Sequence, residues 1–204
     1  MFSIAGLTTM IKTCFFAAVA FLSSLALNAQ KLSVAVNYDS NDGTPGNNEI
    51  CYKPGRLLVW DDFKGKPVEG SDAAALTNAG FGIKLAFRRD ERGSQLLINV
   101  SCNFSKKDSW VKPGNKNAYI LNHEQKHFDI AYIHSRLFMQ KLQQANFTNA
   151  NYTAVIEKIY NETAAAMSKM QNQYDAESSH SRVPEKQSDW DGKISNQLAL
   201  VVKE

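Results

Sequence analysis

Residues 121–128 read Leu121-Asn122-His123-Glu124-Gln125-Lys126-His127-Phe128 and contain the pattern H-E-x-x-H. On an α-helix the imidazoles of His123 and His127 lie one turn apart on the same face, so both can bind one metal ion while Glu124 projects beside them. The segment from about 117 to 145 has the hydrophobic period of a helix. The sequence therefore predicts a long helix that holds a metal ion.

A projection of this helix at about 100° per residue tests whether the motif faces the interior. His123, Glu124 and His127 fall on the arc that carries the apolar residues, whereas Gln125 and Asp129 fall on the opposite arc and are expected to be exposed. A buried carboxylate beside two imidazoles is costly unless a cation compensates it, and a divalent metal ion would do so. The projection thus favours the same metal site as the motif.

The third ligand has to come from another part of the chain. His134 lies about 10 Å beyond His127 along the helix, so we expect it in the core or beside a ligand. In the predicted second helix, Glu177 extends the apolar stripe and His180 follows one turn later. Antiparallel packing would bring this end near His123, so either Glu177 or His180 is the expected third ligand. The other would polarise a substrate carbonyl or hydrogen-bond a ligand.

Three further residues are candidates for the surroundings of the metal. Asn122 and Asp175 are expected as hydrogen-bond partners of the ligands. Tyr174 is either a core residue or a hydrogen-bond donor to an oxyanion.

The fold class follows from a change of hydrophobic period near residue 113. Before it, alternating apolar residues predict strands at about 32–36, 57–60, 81–87 and 98–104. After it, helices are predicted at about 117–145, 152–178 and 190–201. Strands followed by helices predict an α+β domain, with an N-terminal antiparallel sheet packed against C-terminal helices and a zincin-like helix carrying the H-E-x-x-H pattern.

The N-terminal segment has the features of a secretory signal. Lys12 precedes an apolar stretch that ends at Leu27-Asn28-Ala29, and this stretch is short for a membrane span. Cleavage after Ala29 would leave residues 30–204 as a single domain with no membrane span, exported to the periplasm or the medium. An oxidising compartment predicts a disulfide between Cys51 and Cys102, worth roughly 4 kcal/mol; the alternative is two separate buried thiols.

Composition and charge narrow the classes of partner. The chain has 204 residues, 44% of them hydrophobic, with 23 Lys and Arg against 20 Asp and Glu. Such a composition is typical of a soluble globular protein. A net charge of +3 with both signs interleaved is too weak for a dedicated nucleic-acid binder, so nucleic acid is not expected as a partner. The H-E-x-x-H motif predicts a peptide or protein substrate instead.

Several separated motifs together resemble one protein family. In chain order they are Trp60-Asp61-Asp62-Phe63-Lys64-Gly65, Ser109-Trp110-Val111, residues 121–131, Tyr174-Asp175-Ala176-Glu177-Ser178-Ser179-His180, Gln187 and Trp190. From about Leu57 to Leu198 the chain resembles the secreted bacterial proteins grouped as domain of unknown function 922. The family usually has Thr and Gly where this chain has Ser178 and Ser181. The resemblance implies zinc and peptide hydrolysis and identifies no substrate.

The leading hypothesis is therefore a secreted zinc-dependent peptidase. In it, His123, His127 and either Glu177 or His180 hold Zn²⁺, and a metal-activated water attacks a peptide bond with Glu124 as general base. One alternative is a non-catalytic secreted binding module whose metal only joins two helices. Another is a cell-wall amide hydrolase with the same chemistry. A saturated four-ligand site would favour the module, and an open position in a cleft would favour a hydrolase.

Overall fold

The computed structural model describes residues 32–41, 48–91 and 93–202. The predicted signal segment, 1–29, lies outside these residues. Within them, the strands are β1 (Leu32–Tyr38), β2 (Glu49–Cys51), β3 (Ala75–Leu76), β4 (Ala79–Asp90), β5 (Gly93–Ser105) and β6 (Trp110–Val111), and the helices are α1 (Ala118–Gln144), α2 (Tyr152–Ser178) and α3 (Pro184–Val202). The α+β class is confirmed. Among the described residues, no helix combines the length and the apolar composition needed to cross a membrane.

The main sheet is built around β5. Strand β4 pairs with it along its whole length in antiparallel register, from Ala79 opposite Phe104 to Asp90 opposite Gly93. The other edge of β5 pairs with β2 in antiparallel and with β1 in parallel orientation. The prediction of an antiparallel sheet is therefore correct for β4 and wrong for β1, and β2 is a further antiparallel strand that was not predicted. Strand β1 reaches β5 through a long crossover instead of a hairpin, and local alternation carries no information about such a pairing.

The core lies between one face of this sheet and α1. Alternate residues of β5, from Leu96 to Phe104, are at most 1% exposed. Helix α1 contacts β1, β4 and β5 on one side and α2 and α3 on the other. It is thus the central element of the domain, which places its side chains in the interior around most of its circumference.

The central position of α1 corrects one prediction. Gln125 and Asp129 were expected to be exposed, but they are 7% and 3% exposed. Asp129 accepts hydrogen bonds from the Tyr52 hydroxyl at 2.9 Å and from Gln125 Nε2 at 2.8 Å, and Lys126 Nζ lies 3.1 Å from its other oxygen. The loop after β2 covers this polar side of the helix, and the network satisfies the buried carboxylate.

Residues 57–60 do not form the predicted strand. They are an irregular segment that leads into a 3-10 turn, Trp60–Asp62. The backbone N–H of Leu58 donates to Gln125 Oε1 at 2.8 Å, and that of Val59 donates to Asp62 Oδ2 at 3.0 Å. These side chains take the hydrogen bonds that a neighbouring strand would otherwise supply.

The helix bounds agree closely with the sequence for two of the three helices. Helix α2 has the predicted bounds and α1 differs by one residue at each end. Helix α3 begins at Pro184, six residues before the predicted start. Proline is favoured in a first turn because its missing N–H has no helical partner there.

Gly65 forms the contact between two of the motifs that carry the family resemblance, residues 60–65 and 109–111. Its N–H donates to the Ser109 carbonyl at 2.8 Å. A Cβ at this position would lie 2.7 Å from the Lys107 carbonyl oxygen and 2.8 Å from that of Ser109. Only glycine allows the backbones to approach this closely.

Cys51 and Cys102 are free thiols, and the disulfide predicted between them is not formed in the structure. Cys51 lies opposite Asn103 in the β2–β5 register, so Cys102 is displaced by one residue and faces the other side of the sheet. Both side chains are buried, Cys102 in the main core and Cys51 beside Tyr38. The alternative of two separate buried thiols is the arrangement found.

Candidate metal centre

Helix α1 presents the H-E-x-x-H motif to the interior. Asn117 caps the N-terminus of the helix, because its side chain accepts a hydrogen bond from the Ile120 N–H at 2.9 Å. His123 and Glu124 are each 3% exposed and His127 is 9% exposed. The inward orientation predicted for the motif is therefore correct.

A third side chain from α2 meets the two imidazoles, and it belongs to Asp175. Asp175 Oδ1 lies 3.1 Å from His123 Nε2 and 3.0 Å from His127 Nε2, and the two Nε2 atoms are 3.2 Å apart. Within the described part of the chain, these three residues form the group of donors close enough to hold one metal ion.

The distances between these donor atoms fit a small divalent cation. A tetrahedral ion bound at about 2.0–2.1 Å requires donor atoms about 3.3 Å apart. The observed edges of 3.0, 3.1 and 3.2 Å are close to that value. Two imidazoles and a carboxylate are also a donor set that zinc accepts. The residues present therefore fit a metal ion.

Gln171 holds the ring of His127 in the orientation that such a site needs. Its Oε1 is hydrogen-bonded to His127 Nδ1, and its Nε2 donates to the His127 carbonyl at 3.0 Å. An acceptor at Nδ1 keeps the proton on that nitrogen, so the lone pair of Nε2 points toward His123 and Asp175. Gln171 lies one helical turn before Asp175, so α2 supplies both the third donor and the support of a histidine.

The charges of the cluster stabilise one another. Burial raises the pKa of the Asp175 carboxyl, but hydrogen bonds from His123 and His127 outweigh this effect and hold it below its usual range. Burial also disfavours the charged form of His127, yet the hydrogen bond and charge of Asp175, helped by Glu124, raise the pKa of His127 to about 9. Without a metal ion, a proton on His127 thus provides the positive charge that the site needs.

Glu124 borders the same cleft without a partner for its second oxygen. Its Oε2 is buried and accepts no hydrogen bond from a described residue. Burial raises the pKa of the Glu124 carboxyl, an effect that the nearby His127 and His123 partly offset. The cleft has a volume of about 380 Å³ and is bordered by the segment 73–79 on one side and by the motif and α2 on the other. An unpaired buried carboxylate in such a cleft is available to a bound water or substrate.

Of the two residues predicted as third ligand, Glu177 lies outside the site. Its carboxylate accepts hydrogen bonds from Trp190 Nε1 at 2.8 Å and from Gln173 Nε2 at 2.7 Å, on the side of α2 that faces α3. These contacts lower the pKa of Glu177. The prediction of Glu177 as a ligand is therefore wrong in this structure.

His180 does reach the site, at its edge. It is an exposed side chain that borders the cleft, and its Nδ1 lies 3.4 Å from Asp175 Oδ1. Its backbone N–H donates to the Asp175 carbonyl at 2.9 Å. Residues 179–181 have φ angles of 50°, 51° and 66°, a left-handed turn of three non-glycine residues. Each such residue costs about 1–2 kcal/mol, and strain of this kind collects at functional sites.

The remaining candidates take structural positions. His134 is buried, its Nδ1 is 2.9 Å from the Ile130 carbonyl, and burial lowers its pKa. Asn122 donates to Asp191 at 2.8 Å, so it does not contact a ligand as predicted. Tyr174 is fully buried and stacks on His123 with a ring separation of 4.5 Å, which is the core role of its two predicted alternatives.

From the sequence, Asp175 was predicted to hydrogen-bond a metal ligand. In the structure it is itself one of the three candidate ligands. Helical phase favoured Glu177 because it lies closer than Asp175 to the apolar stripe through Tyr174. The structure packs this stripe between two helices, so one flank of α2 faces α1 and the other faces α3. The carboxylate on the α1 flank, Asp175, is the one that meets the histidines. The usable signal was the spacing of Gln171 and Asp175, four residues apart on one flank.

The fold and the site together define the class: an α+β domain whose central helix carries a buried cluster of two histidines and one aspartate. Residues 105–181 match the family model described as "Bacterial protein of unknown function (DUF922)". This is the family that the motifs resemble, and the match confirms the resemblance over that segment. It includes the H-E-x-x-H motif and the segment 174–180, but not the motif at 60–65. No curated protein and no solved structure is matched by the chain.

Proposed function

We propose that this chain is a secreted zinc-dependent peptidase whose metal ligands are His123, His127 and Asp175. The observation that carries the proposal is the placement of Glu124. Its buried carboxylate has an unpartnered oxygen and borders, in an open cleft, three donor atoms spaced for one ion. Structural zinc sites use four protein ligands, whereas catalytic sites use three and leave a position open. Three donors at a cleft favour catalysis over a metal that only joins two helices.

A zinc ion held by these residues would act as a Lewis acid that makes water more acidic and polarises a carbonyl group. Glu124 is the general base: its Oε2 takes a proton from the attacking water and returns it to the nitrogen of the leaving amine. Burial raises the pKa of the Glu124 carboxyl, and the two imidazoles, together with a bound cation, would favour its ionised form.

His180 is the residue that polarises the substrate. Both ring nitrogens donate in the imidazolium form, so His180 in that form would donate from Nδ1 to Asp175 and from Nε2 to the oxygen of the peptide carbonyl as negative charge develops there. Its exposure in the cleft makes it accessible to a bound peptide. Asp175 thus orients His180 and also serves as a ligand.

The segment 73–79 supports a peptide as the substrate. The Ala74 carbonyl accepts from the Lys112 N–H, and the Asn78 N–H donates to Ser109, so these groups face β6. In an extended strand, successive backbone groups alternate in direction, so those of Ala75 and Thr77 face away from β6. Their side of the strand borders the cleft. A peptide could add to this edge by backbone hydrogen bonds.

The test compares two carboxylates in matched variants. Glu124→Gln should keep its bound zinc and lose hydrolysis of a peptide library by at least about 100-fold, because it removes the base and not a ligand. Glu177→Gln, which keeps an acceptor for Trp190, should retain both metal and activity. Metal content is measured by mass spectrometry and hydrolysis by product analysis.

Full activity of Glu124→Gln would contradict the mechanism. Bound zinc without hydrolysis in the wild type would favour a binding module, and cleavage confined to cell-wall amides would favour the amidase alternative.

A further inference from the structure

A second pocket opens beside the metal cleft, past His180. It has a volume of about 350 Å³. The two cavities share four lining residues, namely Ala73, Ala74, His180 and Ser181. A molecule bound at the metal centre can therefore extend into this pocket without crossing the body of the protein.

Two cationic side chains from different parts of the chain line this pocket. Lys112 follows β6, and its Nζ is hydrogen-bonded to the Ser71 carbonyl. Arg182 follows the left-handed turn, and its guanidinium donates to the Asp72 carbonyl at 2.7 Å. Both side chains line the pocket, and the carbonyl groups that they bind belong to consecutive residues. Each retains further N–H donors, since an ammonium has three and a guanidinium has five.

The lining of the pocket has two cationic side chains, Lys112 and Arg182, and one acidic side chain, Asp72. In the part of the chain that the structure describes, neither Lys112 nor Arg182 has an ion-pair partner. The acidic residue of the lining is Asp72, an exposed side chain. The opposite end of the metal cleft is lined by uncharged residues such as Ala79 and Met167. The combined groove is thus positive at one end.

We infer that this second pocket, here called the cationic subsite, binds a carboxylate of the substrate. Ammonium and guanidinium groups bind carboxylates by charge-assisted hydrogen bonds. The carboxylate comes either from an Asp or Glu side chain or from the free C-terminus of the peptide. The inference rests on the proposed function for the peptidic nature of the ligand, and it adds a preference for negatively charged peptides.

Binding to the Glu124→Gln protein loaded with zinc separates recognition from hydrolysis. The probes are fluorescein-labelled octapeptides in which one Glu or one Gln is moved through an otherwise uncharged sequence, each with a free or an amidated C-terminus. Fluorescence anisotropy gives the dissociation constants. An exposed charge pair contributes a factor of up to about five, so two cations should favour the carboxylate by about 5- to 25-fold. The preference should weaken as salt is raised.

Variants that remove either the positive or the negative charges of the pocket test the roles of Lys112, Arg182 and Asp72. Lys112→Gln combined with Arg182→Gln keeps donors for the two carbonyls and should abolish the preference. Asp72→Asn removes the opposing charge and should strengthen carboxylate binding several-fold, a gain that structural damage would not produce. Lys169→Gln, an exposed cation of α2 away from the pocket, is the matched control and should leave the preference unchanged.

The outcomes separate the subsite from the enzyme. Equal affinity for Glu and Gln peptides, or a preference that survives the double substitution, overturns the subsite even if the wild type hydrolyses peptides. A preference that depends on Lys112 and Arg182 supports the subsite even if the wild type hydrolyses none, and that result would overturn the proposed function alone. Absence of binding by every peptide would overturn the subsite, and hydrolysis by the wild type would then decide the proposed function separately.

Discussion

Replacement of Gln171 by Met should weaken metal binding without removing a ligand. In the wild type, Gln171 Oε1 accepts from His127 Nδ1 and thereby keeps Nε2 free to bind metal. Without this acceptor, the proton of neutral His127 moves to Nε2, where Asp175 Oδ1 lies 3.0 Å away. Metal binding then has to return the proton to a buried Nδ1 that has no partner.

The structure gives the size of this effect. An unsatisfied buried donor costs about 1–3 kcal/mol. Loss of a hydrogen-bond partner of a metal-bound histidine typically weakens affinity by about 10- to 100-fold, equivalent to about 1.4–2.7 kcal/mol. Because His127 is only 9% exposed, water cannot easily replace the amide, so we expect a value within this range.

The assay is competition for Zn²⁺ between the protein and a chelating dye. Gln173→Met is the matched control, because Gln173 is exposed and, among the described residues, its amide donates to Glu177 and not to the metal site. The control should bind zinc with wild-type affinity. The role of Gln171 in orienting His127 is refuted if folded Gln171→Met has a Zn²⁺ dissociation constant within twofold of the wild type. It is also refuted if both variants weaken Zn²⁺ binding equally.

Three further predictions concern pH, the thiols and the backbone. In the metal-free protein the raised pKa of His127 stabilises the fold below about pH 6.5, and this contribution is lost as pH rises through about 9. Zinc displaces that proton, so the rise in Tm on adding zinc, measured by scanning fluorimetry, should grow from pH 6 to pH 9; a constant or shrinking rise would contradict it. Cys51 and Cys102 should both be alkylated in denaturant without reductant, as read by mass spectrometry; an unlabelled protein lighter by two hydrogens would show the disulfide instead. Gly65→Ala should destabilise by about 1–3 kcal/mol in urea unfolding because its Cβ meets two carbonyls, whereas Gly192→Ala, where nothing lies within 4 Å, should stabilise by about 0.5–1 kcal/mol; equal effects would refute the argument.

The elements that the sequence predicted well are those defined by local patterns. Helices α1 and α2 are long and strongly amphipathic, and the β4–β5 hairpin joins two clear alternations, so their positions follow from nearby residues alone. Strand β1 was predicted, but its parallel pairing with β5 was not. The short strands β2, β3 and β6 were missed because two or three residues carry no usable period, and they form only where distant segments meet.

The site shows the same division. His123, Glu124 and His127 are set by one helix, so their mutual geometry was predictable from spacing. The third donor depends on which flank of α2 packs against α1, and this is a tertiary property. Trp190 of α3 donates a hydrogen bond to the carboxylate of Glu177 on one flank of α2. On the other flank of α2, Asp175 lies beside His123 and His127. The predicted disulfide is absent from the structure for a related reason, because the register of β2 against β5 places Cys51 and Cys102 on opposite faces.

The most direct test is a crystal structure of the mature protein grown with Zn²⁺, with anomalous diffraction measured at the zinc edge. We expect one strong anomalous peak at about 2.0–2.2 Å from Nε2 of both His123 and His127 and from a carboxylate oxygen of Asp175, with a remaining position open to the cleft. A peak coordinated by Glu177, or zinc found only away from the two histidines, would contradict the proposed site.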